Sequence, residues 1–198
     1  MKISVFFFLL LSISGSFSNS VNAQPKTNLD VFYTLVDSTV DIFISRIPQT
    51  SDSVKLELTL GSSYSIFGNK IISSLHTSGK YLTEDKNAVT INYIMDDAKV
   101  AYGEIFRDGF FGDYYIQRKI NVRGNFLVSN QSSSYKEFNI SYNDSIRYDE
   151  VNLVENESYL FTKGQLPPEP FFSGLFEPIV ALGTAALAVI LFFTVRSK

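Results

Sequence analysis

The most restrictive feature of this chain is an uncharged apolar run near its C-terminus. The run extends from Ile179 to Val195 and contains only Thr184 and Thr194 as polar interruptions. As an α-helix it rises about 25 Å, which approaches the roughly 30 Å hydrocarbon core of a bilayer. A core helix of a soluble domain would carry a polar stripe at helical period, and this run has none. We therefore expect a transmembrane helix over residues 177–195 and a cytoplasmic tail of residues 196–198.

The N-terminus has the layout of a secretory signal peptide. One cation, Lys2, precedes the apolar run Val5–Leu11, and a stretch of small and polar residues leads to Ala23. The apolar run is much shorter than the roughly 20 residues that a membrane anchor needs. We expect cleavage after Ala23, so that residues 1–23 are removed and the bulk of the chain is exported.

The basic residues around the C-terminal run indicate its orientation. Arg196 and Lys198 follow the run directly, whereas the nearest cation on its other side is Lys163. Lys and Arg close to a membrane span are retained in the cytoplasm. The expected topology is a single-pass membrane protein with a periplasmic or extracellular domain and a cytoplasmic C-terminus.

The composition argues against nucleic-acid binding and for a bacterial envelope protein. The chain has 20 acidic and 17 basic residues and a formal net charge of −3, whereas phosphate binding needs clustered Lys and Arg. The absence of cysteine means that the exported domain is held together by packing alone, which is common in bacterial envelopes. A eukaryotic type I surface glycoprotein is the alternative, because four Asn-x-Ser sequons begin at Asn130, Asn139, Asn143 and Asn156.

Hydrophobic periodicity predicts two helices and one early strand. Apolar residues recur every three or four positions from Asn28, a helix cap, until Pro48, and again between Gly61 and the helix stop at Gly79. The segment 54–60 alternates apolar and polar residues, which is typical of a strand with one buried face.

The pattern then becomes strand-like. β-Branched and aromatic residues predict strands at residues 89–95, 100–106, 114–122, 125–128 and 135–142. Asp96 and Asp97 are expected in a hairpin turn, Gly124 at a break, and residues 146–154 in a strand or short helix. The expected fold class is α+β, over residues 24–163, with two helices on one face of a mainly antiparallel sheet of about five strands. A Pro-rich juxtamembrane spacer, residues 164–176, follows.

The sequence shows no catalytic or metal-binding motif, and we expect no cofactor. His76 is the single histidine, so zinc or another transition metal would lack its usual His and Cys ligands. Enzymatic activity is less expected than binding, although a membrane-anchored hydrolase built around His76 or paired carboxylates is an alternative. The looser acidic stretch between Asp144 and Glu157 does not match the spacing of an EF-hand loop.

A hairpin rich in aromatic residues is the candidate partner-binding surface. In the segment RDGFFGDYYIQRK, two glycines bracket Phe110 and Phe111, and Tyr114 and Tyr115 follow. Rings exposed at a hairpin tip favour contact with a protein or membrane. Burial of these rings against the domain is the alternative.

Small residues also recur on one face of the C-terminal helix. Ala181, Thr184, Ala185 and Ala188 are spaced by three or four positions. Small residues in this arrangement allow helices to approach closely in lipid, which would support a homo-oligomer. Simple anchoring is the alternative.

These features together predict an accessory or assembly component of a membrane-associated complex in the cell envelope. The expected partners are the lipid bilayer and an envelope protein.

Overall fold

The computed structural model describes residues 24–109, 112–130, 132–168 and 176–196. The predicted signal peptide lies outside these ranges. Within them, the chain is a mixed α+β protein with a five-stranded sheet and four α-helices.

Helix α1 (Asn28–Ile44) forms where the apolar periodicity predicts the first helix. Its N-cap is Thr27, whose hydroxyl accepts a hydrogen bond of 3.1 Å from the Asp30 backbone N–H. This bond satisfies one of the free N–H groups of the first turn. The predicted cap, Asn28, is instead fully buried. The apolar side chains that α1 buries in the core are Val31, Phe32, Leu35, Val36, Val40 and Phe43.

The next two strands and the helix between them form one side of the sheet and part of the helical layer. They are β1 (Ser53–Leu60), α2 (Ile66–Thr77) and β2 (Tyr81–Leu82). Gly79 follows α2 with a φ of 75°, the left-handed conformation that ends many helices and that favours glycine. β2 pairs parallel with β1 over two residues only.

Three long strands complete the sheet: β3 (Val89–Arg107), β4 (Tyr114–Ser129) and β5 (Ser133–Arg147). The strand order is β2-β1-β3-β4-β5. β1 pairs parallel with both of its neighbours, and β3, β4 and β5 form an antiparallel meander. The sheet has the expected number of strands, but three long strands replace the five shorter ones predicted after α2.

Asp96 and Asp97 do not form a hairpin turn. β3 continues through both residues, and its register against β4 shifts between Met95 and Asp97. The shift is a β-bulge, which adds one residue to a strand without ending it. The turn prediction was wrong because polar residues of this kind are tolerated at bulges as well as in turns.

Gly124 does not break β4 and is instead a position of close approach. It lies opposite Met95, at the bulge. A Cβ atom at Gly124 would lie 2.1 Å from the carbonyl oxygen of Ile94 and 2.6 Å from the Phe138 ring. Glycine is therefore required here for close packing of the strands.

Helices α1 and α2 pack together on one face of the sheet and enclose the main core. The inward residues of β3 from Val89 to Met95 belong to the same apolar cluster as the buried faces of both helices. Phe43 of α1 packs edge-on against Tyr93 and Phe126, with ring centroids 6.0 and 5.8 Å away. Aromatic pairs in this arrangement add to the free energy gained by burial.

The chain after β5 folds back onto the domain. A 3₁₀ turn (Tyr148–Glu150) leads into the short helix α3 (Val151–Val154), and a second 3₁₀ turn spans Leu160–Thr162. Phe161 inserts between the helices, with its ring centroid 5.2 Å from that of Phe32. The segment from residue 148 to residue 162 is therefore part of the domain core.

Helix α4 (Phe176–Arg196) forms at the position of the predicted transmembrane helix. In the ranges that the structure describes, however, no helix combines the length and apolarity that crossing a membrane requires. The transmembrane helix and the single-pass topology are thus not supported. The large apolar side chains that α4 exposes are Ile179, Val180, Leu182, Leu187, Val189, Ile190, Leu191, Phe192 and Phe193.

Candidate functional site

The hairpin between β3 and β4 holds the residues predicted to bind a partner. Phe110 and Phe111 lie outside the described residues. Tyr114 and Tyr115 begin β4 and are half-buried. The proposed role of these four residues stays a prediction.

The two tyrosines contact neighbouring side chains at the base of the hairpin. The Tyr115 ring stacks on Phe106 with a centroid distance of 5.8 Å. The Arg107 guanidinium lies 4.9 Å from the Tyr114 ring centroid, within the range of a cation–π contact. Arg107 also donates a hydrogen bond of 2.7 Å from Nε to the carbonyl oxygen of Gly112. The described part of the hairpin base is therefore fixed by stacking.

An ion pair between a fully buried arginine and a partly buried aspartate connects β4 and β5 on the helix-covered face of the sheet. The Arg118 side chain is fully buried and donates two hydrogen bonds to Asp144, from Nε at 2.8 Å and from Nη2 at 2.6 Å. The two residues lie directly opposite each other in the strand register. This two-point geometry is the strongest form of an Arg–carboxylate contact.

The remaining Arg118 donor group holds the beginning of α1. Nη1 donates to the carbonyl oxygen of Lys26 at 2.9 Å and to the side-chain oxygen of Asn28 at 2.8 Å. The Asn28 amide in turn donates to the carbonyl oxygen of Thr162 at 2.7 Å and to the Tyr102 hydroxyl at 3.1 Å. We call Arg118, Asp144, Asn28, Tyr102 and Thr162 the polar cluster. It joins the start of α1, three strands and the 3₁₀ turn before the spacer.

The surroundings of the polar cluster also change the pKa of one of its members, Tyr102. Burial raises the pKa of the Tyr102 hydroxyl, and the Glu155 carboxylate raises it further, while the hydrogen bond from Asn28 acts in the opposite direction. Glu155 accepts a hydrogen bond of 3.0 Å from the backbone N–H of Gly164. No buried side-chain polar atom in the described part of the chain lacks a hydrogen-bond partner. The cluster is therefore internally satisfied, which is typical of a structural network.

The polar cluster has a signal in the sequence, namely two charged residues at inward strand positions. In β4, Arg118 occupies an inward position of the alternation, between Ile116 and Ile120, where an apolar residue is expected. In β5, Asp144 occupies the matching inward position next to Ile146. Charged residues are seldom fully buried unless they are paired. Opposite charges at inward positions of two neighbouring strands thus predict a buried ion pair.

The opposite, solvent-facing side of the sheet is polar. A shallow groove of about 560 Å³ lies over the ends of β3, β4 and β5, and its exposed lining includes Gly103, Gln117, Lys119 and Asn143. Farther along, the Asn121 amide donates to the side-chain oxygen of Asn139 at 2.6 Å. This face of the sheet carries side chains that can form hydrogen bonds. Among the described residues, it carries no set of side chains arranged for catalysis.

The described residues form no site that would support the hydrolase or the metal-binding alternative. His76 is exposed at the end of α2, and its ring lies 5.9 Å from that of Tyr81. Within the described ranges, no three His, Cys, Asp or Glu side chains are grouped so that they could hold a metal ion. Part of the acidic stretch serves ion pairs and loop contacts, since Asp149 pairs with Arg147 at 2.6 Å.

The small residues predicted to support helix packing lie on α4. Ala181, Ala185 and Ala188 are exposed, and so is Thr184. The Thr184 hydroxyl donates to the backbone carbonyl oxygens of Val180 and Ala181, at 2.9 Å each. Their role in oligomer formation stays a prediction.

Comparisons with known proteins give only weak similarities. No family model and no curated protein matches the chain. One weak structural match is a minor lipoprotein from Acinetobacter baumannii, with a TM-score of 0.34 and 13% sequence identity over 52% of this chain and 70% of that one. Another weak match is the rare lipoprotein B from Shewanella oneidensis, with a TM-score of 0.33 and 9% identity over 73% of this chain and 93% of that one. These TM-scores are too low to support an argument about fold or function.

Proposed function

We propose that this protein is an accessory component of the cell envelope, in which an exported α+β domain binds a protein partner and helix α4 contacts the lipid bilayer. The observation that carries the proposal is the apolar surface of α4. Leu182 is 72% exposed and Phe193 is 69% exposed, with seven other large apolar side chains exposed between Ile179 and Phe192. A contiguous apolar surface of this kind is seldom left in water and marks a site of contact with lipid or protein.

The bilayer fits this surface better than a protein groove does. The exposed apolar residues of α4 include Leu182, Leu187 and Leu191, together with neighbours on all sides of the helix. A helix that docks in a protein groove needs only one apolar stripe, whereas a helix that is apolar all round is surrounded on every side, as it is in lipid or in the core of a large protein. Exposure to lipid therefore explains the composition of the entire helix.

Membrane fractionation of the full-length chain tests the lipid contact. We expect the protein to float with membranes and to require detergent for release. Replacing both Leu182 and Leu191 with Asp should release it, because charged side chains on α4 would have to leave water to enter the apolar part of the bilayer. Leu160→Asp is the matched control, since Leu160 is exposed on the domain. Recovery of the unmodified protein in the soluble fraction without detergent would overturn the proposal.

The partner-binding part of the proposal concerns the hairpin between β3 and β4. Affinity purification from gently solubilised membranes should recover a reproducible set of membrane proteins. A variant with Phe110→Ala and Phe111→Ala should lose them while keeping the same thermal unfolding midpoint. If the unmodified protein is recovered alone in several detergents, the domain does not act through a stable protein partner.

A further inference from the structure

The two edges of the sheet are very different. One edge is β2, which has two residues, and the other is β5, which has 15 residues. β5 pairs with β4 in a single register along its whole length, contains no proline and carries one lysine, Lys136. Proteins usually protect sheet edges by shortness, bulges, proline or inward charge, because unpaired backbone groups attract other strands. The β2 edge is protected by its shortness, whereas the long β5 edge carries only Lys136 and the inward Asp144, which Arg118 of the same chain neutralises.

The backbone groups that β5 presents at its open edge can be assigned. Across the loop between β4 and β5, the N–H of Asn130 donates to the carbonyl oxygen of Ser132 at 3.0 Å. Hydrogen-bonded pairs alternate along an antiparallel ladder, so the even-numbered residues of β5 bond to β4. The odd-numbered residues direct their N–H and C=O groups away from β4. In the part of the chain that the structure describes, no strand pairs with this edge.

We propose that a second copy of this chain pairs with the β5 edge, antiparallel, about a two-fold axis that passes by Ile140. Ile140 is the midpoint of Ser133–Arg147, so this register alone pairs the whole strand from end to end. It places even residues opposite even residues, which keeps the helix-covered faces of the two sheets on the same side. In this register the hydrogen-bonded pairs between the two copies are formed by the odd-numbered residues. These are the residues whose N–H and C=O groups point away from β4. The interface is isologous, as in most homodimers.

The side chains of β5 are complementary to themselves in this register. Lys136 lies opposite Asp144 of the second copy, whose carboxylate also accepts from Arg118 of its own chain, and Phe138 lies opposite Tyr142. No two like charges face each other directly along the strand, and cross-strand pairs of opposite charge or of aromatic rings stabilise antiparallel sheets. A shift of two residues in either direction removes the Lys–Asp pairing and leaves strand ends unpaired. Complementarity therefore favours a second copy as the occupant of this edge.

The proposed dimer has a defined geometry at the membrane. The two-fold axis reverses one β5 relative to the other, so the two spacers leave from opposite ends of strands that are about 50 Å long. If both α4 helices contact one bilayer, the strands must lie along its surface. The dimer itself does not depend on the proposed function.

Disulfide trapping tests the register directly, because the chain has no native cysteine. Full-length chains carrying Asn139→Cys and chains carrying Ser141→Cys are co-expressed with different tags and oxidised in native membranes. The two positions are exposed on the outer face and would be directly opposite in the dimer, with Cα atoms about 5.5 Å apart. We expect a crosslink between the two tagged chains.

The controls separate this interface from other dimers. Asn139→Cys alone should crosslink poorly, because its own copies would be about 8–9 Å apart, beyond disulfide reach. Lys119→Cys combined with Arg123→Cys, exposed on β4, should not crosslink. A dimer formed through α4 would give no Asn139–Ser141 crosslink above these controls. That result, or a monomer in solution, would overturn the proposal.

A proline in β5 gives a second test. Ser141 has its N–H on the open edge, so Ser141→Pro removes no backbone hydrogen bond to β4 but blocks pairing with a second strand. The side-chain hydrogen bond of 2.9 Å that Ser141 accepts from Asn121 is lost in Ser141→Pro and in the Ser141→Ala control alike. We expect Ser141→Pro to be monomeric and folded, whereas Ser141→Ala stays dimeric. A dimer that persists in the folded proline variant would contradict the proposal. So would recovery of a different protein crosslinked to residue 139 in place of the second copy.

Discussion

Arg118 and Asp144 face each other across β4 and β5 and are joined by two hydrogen bonds of 2.8 and 2.6 Å on the buried face of the sheet. Arg118 also supplies hydrogen bonds to the start of α1. One side chain therefore orders parts of the chain that are about 90 residues apart.

Replacing Arg118 with Leu should lower the free energy of unfolding by about 3–5 kcal/mol, because it leaves the Asp144 carboxylate and two other acceptors without their donor. Urea unfolding followed by circular dichroism measures the change. Arg123→Ala is the matched control: Arg123 is exposed on the other face of β4 and should change stability by less than about 0.5 kcal/mol. A loss below about 1 kcal/mol for Arg118→Leu would contradict the structural role of the ion pair.

Replacing two glycines with alanine should change the stability of the domain in opposite directions. Gly124→Ala should destabilise the domain by about 1–3 kcal/mol or more, because the new Cβ would lie 2.1 Å from a backbone oxygen. Gly68→Ala, in α2, should stabilise it by about 0.5–1 kcal/mol, since its Cβ would make ordinary contacts at 3.6 Å or more. Thermal unfolding of both variants checks the pair. Equal effects would show that Gly124 is not a position of close approach.

Thr39 and Tyr93 share a hydrogen bond of 2.9 Å in the core. Thr39→Val should cost about 1–3 kcal/mol, because it leaves a buried Tyr93 hydroxyl without a partner. Adding Tyr93→Phe should recover part of that loss. A double-mutant cycle measured by urea unfolding gives the coupling energy. Strict additivity of the two changes would argue against this hydrogen bond.

Stability should fall at high pH because of Tyr93. Burial raises the pKa of its hydroxyl, and the hydrogen bond with Thr39 acts in the opposite direction. The folded state therefore keeps a proton that the unfolded state releases above its ordinary pKa of about 10. The contribution of the protonated Tyr93 hydroxyl to the free energy of unfolding is fully present below about pH 10. Above that pH it is lost, by up to about 1.4 kcal/mol per pH unit. The urea midpoint between pH 8 and 11 should decline less steeply in Tyr93→Phe than in the unmodified protein.

The 3₁₀ turn before the spacer provides a pair of adjacent positions with different burial. Phe161 is 9% exposed and packs against three other aromatic rings of the core in addition to Tyr159, whereas Leu160 is 80% exposed. Phe161→Ala should cost about 3–5 kcal/mol, and Leu160→Ala less than about 0.5 kcal/mol. Similar losses for both variants would show that this turn is not part of the core.

Local patterns in the sequence predict most of the elements but not the connections between strands. The periodic spacing of Phe32, Val36 and Val40 predicts α1, since this pattern depends only on neighbours within one helix. Asp97 and Gly124 lie in continuous strands because a bulge and a close approach depend on a facing strand. The sequence patterns that favour turns also fit those positions.

The candidate site was harder to predict for a related reason. Arg118 at an inward strand position is visible in the sequence, yet its contact with Asn28 depends on how α1 lies across the sheet. The parallel pairing of β1 with β3 was also not foreseen, because alternation gives the burial of a strand and not the direction of its neighbour.

The polar cluster also brings together the two points at which the chain joins the folded domain. Lys26 contacts Arg118 at one end, and Thr162 contacts Asn28 at the other. A circular permutant that links residue 168 to residue 24 through a short Gly-Ser segment should therefore fold. New termini at the exposed residues 85–87 would leave every contact of the cluster intact. By the same geometry, this domain could be inserted as a unit into a loop of another protein.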